Sequence, residues 1–431
     1  MLIDFTLKNF KSFKNEETLS AEAANRLRKH KDSVENINGQ NILKTVFIFG
    51  PNGSGKSNVL DGLKTMKEMV LHVPSIVTEE LPYYPFAFYT KDLPTTFSVN
   101  FTYHEKIYFY EFSYTNNEIV KESLGYKTKS SRKMITYFKR VKSEFVTIPD
   151  RLKSIGEQTK KNTLFLYKAQ DANDEAATEV TRWFHDDLLF FEDFQNNVTS
   201  NSLYKMLKDD KYKKLLVDFL HASDVNVKDI DVQEVKQEIS PNFPTVIRVS
   251  FVNGEPFYRP NKKIVTVHTV YDDDGEPHGT KSLYLDQESD GTQKMFMIGL
   301  SLIYSKIFGG SKTLLFDEFD RSLHFELSKT LCKIFNSSEN FVQIISTTHE
   351  VNLLDEGLRQ DQICLAEKDF QGVSSLKSIY DFKDNRNTGR ADVHYAKRYI
   401  NGVYGCYPWV DPEELRDILE GIDTTPEEHN D

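Results

Sequence analysis

Cysteine is scarce in this sequence: three residues in 431, Cys332, Cys364 and Cys406. Scattered and odd in number, they offer neither a disulfide framework nor the paired spacing of a zinc or redox site, and core positions are expected for them. Missing too is any run near the about eighteen apolar residues that a membrane span needs. Asp4 interrupts the apolar start Met1–Phe5 where a signal peptide needs a continuous apolar segment, so a cytoplasmic location is expected. Positive charge is in deficit. The formal net charge of −11 opposes non-specific attraction to nucleic acid or an anionic membrane over the whole surface, leaving only a local basic patch for such contacts. Sustained heptads are absent, which excludes a long coiled coil.

What is present is ample core material. With 39% hydrophobic residues the chain can bury a large interior, and its length suggests two or three structural units. The organising stretch is Gly50-Pro51-Asn52-Gly53-Ser54-Gly55-Lys56-Ser57, between the β-branched and aromatic run Thr45–Phe49 and a helix start at Asn58. Strand, glycine loop and helix in that order form a phosphate-binding loop. Backbone N–H groups from Asn52 to Asn58 turn around phosphates, Lys56 reaches the β and γ oxygens, and the Ser57 hydroxyl ligates Mg²⁺. The helix N-terminus adds its positive dipole end. ATP and Mg²⁺ are therefore the expected ligands.

Residues 2 to 10 read as a half-buried strand placed near the nucleotide strand, 21 to 40 as a loop with some helix, and 58 to 73 as a helix ended by Pro74. From 86 to 145 the runs 97–103, 106–114, 119–126 and 134–140 predict an antiparallel meander. Its basic residues Lys127, Lys129, Arg132, Lys133, Lys139, Arg140 and Lys142 form either a solvated face or a nucleic-acid contact. Residues 151 to 236 carry helical periodicity and predict a helical insertion. Strands return at 246–252, 264–271 and 281–285, with Asp272-Asp273-Asp274-Gly275 as a hairpin turn rather than a metal site. An apolar helix follows at 294–308, closed by Gly309-Gly310. Next come a buried strand ending in Asp317-Glu318, a helix over 323–335, and a buried strand ending at His349. The acidic tail from Asp423 to Asp431 is expected to be disordered.

Polar residues collected at the C-terminal ends of parallel strands mark where α/β sheets place their sites. Asp317 is the candidate Mg²⁺ ligand and Glu318 the candidate base for an attacking water. His349 can hydrogen-bond the γ-phosphate or the water. Glu288-Ser289-Asp290-Gly291-Thr292-Gln293 opens the 294–308 helix, and a serine, a glycine backbone and a helix N-terminus together make a second phosphate-recognising surface.

In this order the set resembles the ATP-binding-cassette ATPases. The resemblance implies that Ser289, Gly291 and Gln293 belong to the signature motif that meets the γ-phosphate held by a second subunit. It also implies that Asp320-Arg321-Ser322-Leu323 is the dimer-facing D-loop and His349 the switch histidine. A nearer resemblance is to the stand-alone bacterial AAA-type ATPases of the abortive-infection (AbiLi or RloA) and overcoming-lysogenization kind. It is carried by Lys8–Phe13, Gly50–Ser57 and Ser289–His349, and more weakly by Tyr399–Pro408. No glutamine lies in 79–90 to couple the Mg²⁺ site to the helical region, and the signature has a soluble-branch rather than a transporter form.

The expected architecture is thus α/β: a P-loop ABC-ATPase-type head with an antiparallel β meander and an inserted helical lobe. Residues 1–150 would carry the P-loop and meander, 151–240 the helical insertion, 241–400 the signature, Walker B strand and switch histidine, and 401–431 a C-terminal segment and tail. The resemblance implies a Mg²⁺-dependent ATPase that dimerises head to tail and controls a separately encoded effector, such as a toprim-type nuclease, in antiphage defence. The alternatives are a DNA-repair or chromosome-type head that binds DNA directly, and an ATPase fused to its own nuclease. Trp183, Phe184, Phe190, Phe191 and Phe194 of the insertion are candidate partner anchors, against the alternative that they form the lobe's own core.

Overall fold

The computed structural model describes residues 1–89, 93–131, 133–191, 201–238, 258–308, 312–382, 394–406 and 411–420. The expected strand at 246–252, Arg132, Phe194, Gly309-Gly310, Tyr407-Pro408 and the acidic tail lie outside the described residues.

The first half of the chain builds strands β1 (Leu2–Lys8), β2 (Glu17–Ser20), β3 (Val34–Ile37), β4 (Gln40–Leu43) and β5 (Thr45–Phe49), then helix α1 (Lys56–Leu71). Strands β6 (Thr95–Tyr103), β7 (Lys106–Tyr114), β8 (Ile119–Thr128), β9 (Ile135–Val141) and β10 (Glu144–Thr147) follow. Helices α2 (Lys153–Glu157), α3 (Phe165–Asp171) and α4 (Glu175–Arg182) lead to the short strand β11 (Leu188–Phe190), then α5 (Asn201–Lys208) and α6 (Asp210–Ala222). The second half holds β12 (Asp229–Glu238), β13 (Tyr258–Tyr271), β14 (Pro277–Tyr284), α7 (Asp290–Phe308), β15 (Thr313–Phe316), α8 (Phe325–Phe335) and β16 (Gln343–Thr347). Strands β17 (Ile363–Lys368) and β18 (Ser374–Ser378) and helices α9 (Tyr395–Ile400) and α10 (Pro412–Glu420) complete the described chain.

The nucleotide sheet has the order β11-β15-β16-β5-β17-β18, parallel except for β18. Every residue of β5 is buried, and alternation divides its side chains between two cores. Val46 and Ile48 join Val59, Leu63, Met66 and Val70 of α1 on one face. Phe47 and Phe49 join Phe296 and Ile298 of α7 and Leu331 and Phe335 of α8 on the other. The unbroken apolar run of β5 is thus what a strand covered on both faces requires.

The meander forms a second, seven-stranded antiparallel sheet in the order β10-β9-β8-β7-β6-β1-β2. Strand β1 therefore belongs to this sheet and not, as its position in the sequence suggested, beside the nucleotide strand. Its first residue reaches across: the Leu2 N–H donates to Thr313 Oγ1 (3.1 Å) and Gln343 Oε1 (2.8 Å).

The described residues of the segment from 151 to 236 are helical in large part up to Ala222, as the periodicity suggested, but from Asp229 the chain is strand β12, paired with β13, and not helix; the helices themselves pack in two different places. Trp183 stacks on Phe101 of β6 with ring centroids 3.9 Å apart, and Trp183, Phe184 and Phe190 are buried in the core that α1 shares with the meander. These aromatics are therefore core and not partner anchors. Phe191 packs against Phe316 at 5.3 Å. Strand β11 is too short to announce itself by periodicity, and it is held to the edge of the nucleotide sheet by pairing with β15 and by Lys312, which donates to Asp186 O (2.9 Å) and Asp187 (3.2 Å). Helix α6 packs on α7 at Gly299, where an added Cβ would lie 2.5 Å from Phe219.

Arg140, counted from sequence with the basic face, is also corrected: it is buried, donating to Glu122 (2.8 Å) and to Thr163 O (2.6 Å). Lys142 is paired with Glu118 at 3.1 Å, so the meander's cationic face is smaller than its sequence suggested. Asp272–Gly275 closes the β13–β14 hairpin, with the Gly275 N–H donating to Asp272 O (3.1 Å). The three cysteines are buried, and burial first of all pushes the Cys364 and Cys406 thiols up to about 12. Among the described residues, no helix is long and apolar enough to cross a membrane.

Candidate nucleotide site

The glycine loop joins β5 to α1 and is held from outside by residues distant in sequence. Gly55, at φ 104°, precedes α1, and an added Cβ there would lie 2.5 Å from Ser374 Oγ and 2.8 Å from Ser12 Oγ. A side chain at this position would be strained by both the backbone and the contact. Ser374 of β18 donates to Ser54 O (2.7 Å), its hydroxyl lies 2.7 Å from Ser12 Oγ, and Asn58 Nδ2 donates to Ser12 Oγ (2.8 Å). The turn after β1, the loop and the β17–β18 hairpin are thereby one hydrogen-bonded unit. Gly53, at φ 75°, has open space where a Cβ would project.

Lys56 is buried and donates to Gly50 O (2.9 Å) and Pro51 O (3.0 Å). Burial lowers its pKa below the usual lysine value, and Glu318, Asp317 and Asp320 act in the opposite sense. Ser57 Oγ donates to Asp317 Oδ1 at 3.0 Å. Asp317 also accepts from Thr347 Oγ1 (2.5 Å), and Thr347 Oγ1 in turn accepts the Glu318 N–H (2.7 Å). His349 Nε2 stands 3.1 Å from Glu318 Oε1.

The expected residues of the loop and of the Asp-Glu and His strands therefore converge, although strand β16, carrying Thr347, lies between β15 and β5. That order explains how a threonine ahead of His349 comes to bridge the Asp317 carboxylate and the Glu318 backbone N–H. Thr347, Ser12 and Ser374 were not recognised as site residues from sequence. The Thr347-Thr348 pair closing a buried strand was the available signal, whereas nothing local to Ser374 indicated its partner more than three hundred residues away.

The signature residues open α7, where Ser289 Oγ accepts the Thr292 N–H (3.2 Å) and the Gln293 N–H donates to Ser289 O (2.9 Å). Among the described residues no hydrogen bond joins Ser289, Gly291 or Gln293 to the glycine loop of the same chain. They adjoin instead the loop after β15: a Cβ on Gly291 would lie 2.8 Å from Ser322 O, and Lys294 donates to the carbonyls of Glu318 and Arg321.

The donor set fits a phosphate and a hard cation. Ser54 Oγ is buried with no hydrogen-bond partner inside the loop, Lys56 supplies an ammonium, and the adjacent hydroxyl and carboxylate of Ser57 and Asp317 are oxygen ligands of the type Mg²⁺ prefers.

A glycine loop between a central parallel strand and a helix, with an acidic pair and a histidine on neighbouring strands, defines an ATPase-type domain of the P-loop class. The profile of the family described as "AAA domain, putative AbiEii toxin, Type IV TA system" matches residues 46–355, and the chain belongs to that family. No curated protein matches it. Similar solved structures include an SMC head domain from Thermotoga maritima, at 14% identity and TM-score 0.38, covering 88% of this chain and 98% of that one. A structure of the Smc head bound to the C-winged helix domain of ScpA is 14% identical at TM-score 0.42, covering 88% and 97%. A Smc head with an extended coiled coil, bound to the C-terminal domain of ScpA derived from Pyrococcus furiosus, is 13% identical at TM-score 0.38, covering 98% and 99%.

Proposed function

We propose that this protein is a Mg²⁺-dependent ATPase that pairs head to tail with a second copy around two ATP molecules. We further propose that it serves in the cytoplasm as the sensor or regulator subunit of a bacterial antiphage system of the abortive-infection kind, controlling a separate effector. The observation that carries the ATPase reading is the continuous hydrogen-bonded line Ser57–Asp317–Thr347–Glu318–His349 at the mouth of the glycine loop. The defence reading is supported by the family's description as a putative toxin of a type IV system.

In this mechanism the N–H groups from Asn52 to Asn58 cradle the phosphates and Lys56 turns from its two carbonyls to the β and γ oxygens. Ser57 and Asp317 would hold Mg²⁺, which when bound offsets the charge developing on the phosphates. Glu318 takes the proton of the attacking water as the water oxygen bonds to the γ-phosphorus and the bond to the bridging oxygen breaks. His349 orients the Glu318 carboxylate and the water. Ser289, Gly291 and Gln293 close the partner's site against its γ-phosphate.

Glu318→Gln tests this reading. A general base contributes about 10² to 10⁴ in rate, so the variant is expected to bind ATP normally and turn over at least about a hundredfold more slowly. Near-native turnover would remove Glu318 from the role. ATP-dependent DNA binding by this chain alone would favour the chromosome-type alternative.

A further inference from the structure

The loop after β15 departs from ordinary backbone twice. Glu318 has φ 50° and Ser322 φ 66°, left-handed conformations that non-glycine residues seldom adopt and that persist only where the surroundings hold them. Besides Thr347, which accepts the Glu318 N–H, the first turn of α7 holds them. Gly291 and Lys294, three residues apart, share one helical face, and that face lies against the loop. Gly291 permits the approach, since a Cβ there would lie 2.8 Å from Ser322 O. Lys294 Nζ donates to the carbonyls of Glu318 and of Arg321, the latter at 3.1 Å. Both acceptors are backbone atoms, so the lysine fixes the course of the loop rather than neutralising a carboxylate.

We infer that Lys294 is a positioning residue that ties the first turn of α7 to the backbone of Glu318, so that a phosphate contact at Ser289 and Gly291 sets the placement of the Glu318 carboxylate in the same chain. In the head-to-tail pair proposed above, on which this coupling rests, the α7 start meets the nucleotide held by the partner. Lys294 then makes each site's base depend on ATP at the other site, and hydrolysis becomes cooperative.

The test uses the full chain with ATP and Mg²⁺, measuring nucleotide affinity with a fluorescent ATP analogue, mass by light scattering, and turnover against ATP concentration. Lys294→Met is expected to keep ATP affinity and the ATP-dependent dimer. Its turnover should fall about a hundredfold, the scale of a misplaced catalytic group. Its Hill coefficient should fall from about two toward about one. Lys294→Arg, which keeps the charge and the donors, should restore most of both. Gly291→Ala, with the lysine intact, should lower the Hill coefficient by pushing the helix off the loop.

Native turnover and cooperativity in Lys294→Met would overturn the inference. So would a joint loss of ATP binding, dimer and melting temperature that Lys294→Arg fails to repair, since that marks a merely structural lysine. If the native chain hydrolyses ATP without dimerising, the head-to-tail reading fails. Turnover of the Lys294→Met monomer then still decides whether the lysine places Glu318.

Discussion

At the scale of single residues, the site depends on a threonine with two hydrogen bonds in opposite senses. Thr347 Oγ1 donates to Asp317 and accepts from the Glu318 N–H, so one hydroxyl fixes the Asp317 carboxylate and the backbone that carries Glu318. Thr347→Val preserves the shape, removes both bonds and leaves a backbone N–H without its acceptor. An unsatisfied buried group costs about 1–3 kcal/mol. The expected result is a lower urea midpoint together with a raised Mg²⁺ requirement for turnover, read by titrating Mg²⁺ at fixed ATP. A changed midpoint with an unchanged Mg²⁺ requirement would confine Thr347 to stability. For Lys56, the two carbonyls it bonds show that the loop already positions its ammonium. Lys56→Ala should abolish ATP binding in a folded chain, and unchanged affinity would contradict the phosphate-loop assignment.

At the scale of elements, a fully buried ion pair, Glu122–Arg140, ties the meander to α3. Glu122 of β8 accepts from Arg140 Nε of β9 (2.8 Å), the Tyr110 hydroxyl of β7 (2.9 Å) and the Phe165 (2.7 Å) and Leu166 (2.9 Å) N–H groups that open α3. Arg140→Met leaves that carboxylate buried beside an apolar chain, and breaking such a pair costs about 3–5 kcal/mol. Chemical denaturation should show a loss of this size. The double variant Glu122→Leu with Arg140→Met should recover only part of it, because the two N–H groups of α3 then lose their acceptor. A loss under about 1 kcal/mol in Arg140→Met, the level of an exposed pair, would show that water reaches the cluster. Sequence periodicity located the meander strands and α7 closely, because alternation and helical spacing are local signals. It could not show that Arg140 points inward, since a basic residue on a half-buried strand has the same pattern whether or not a carboxylate waits across the ladder. Nor could it show β11 or the Ser12–Ser374 contact, where three-residue pairing and long-range packing leave no periodic trace.

At the scale of the whole molecule, the glycine loop, the acidic pair and the histidine were legible because each closes a buried parallel strand, and their convergence follows from sheet order. The signature turn is different: it is built correctly as a helix start, yet within one chain it touches the loop after β15 and makes no hydrogen bond to the glycine loop. That arrangement suits a site completed by a second copy, and it makes the assembly testable. ATP should favour the dimer and ADP should not, because in the proposed pair the γ-phosphate is the shared group. Glu318→Gln with ATP should run at twice the monomer mass in light scattering, and Ser289→Arg added to it should return the monomer by placing a long cation where the proposed pairing puts the partner's nucleotide. For the output, the buried Trp183 and Phe184 are unavailable to an effector, whereas Leu415, Ile418 and Leu419 of α10 remain exposed. Co-expression with the neighbouring gene is expected to yield a complex whose activity is lost in Lys56→Ala and altered in Glu318→Gln. A neighbour that neither co-purifies nor responds to these substitutions would separate the ATPase, which the other measurements decide, from the regulatory role proposed for it.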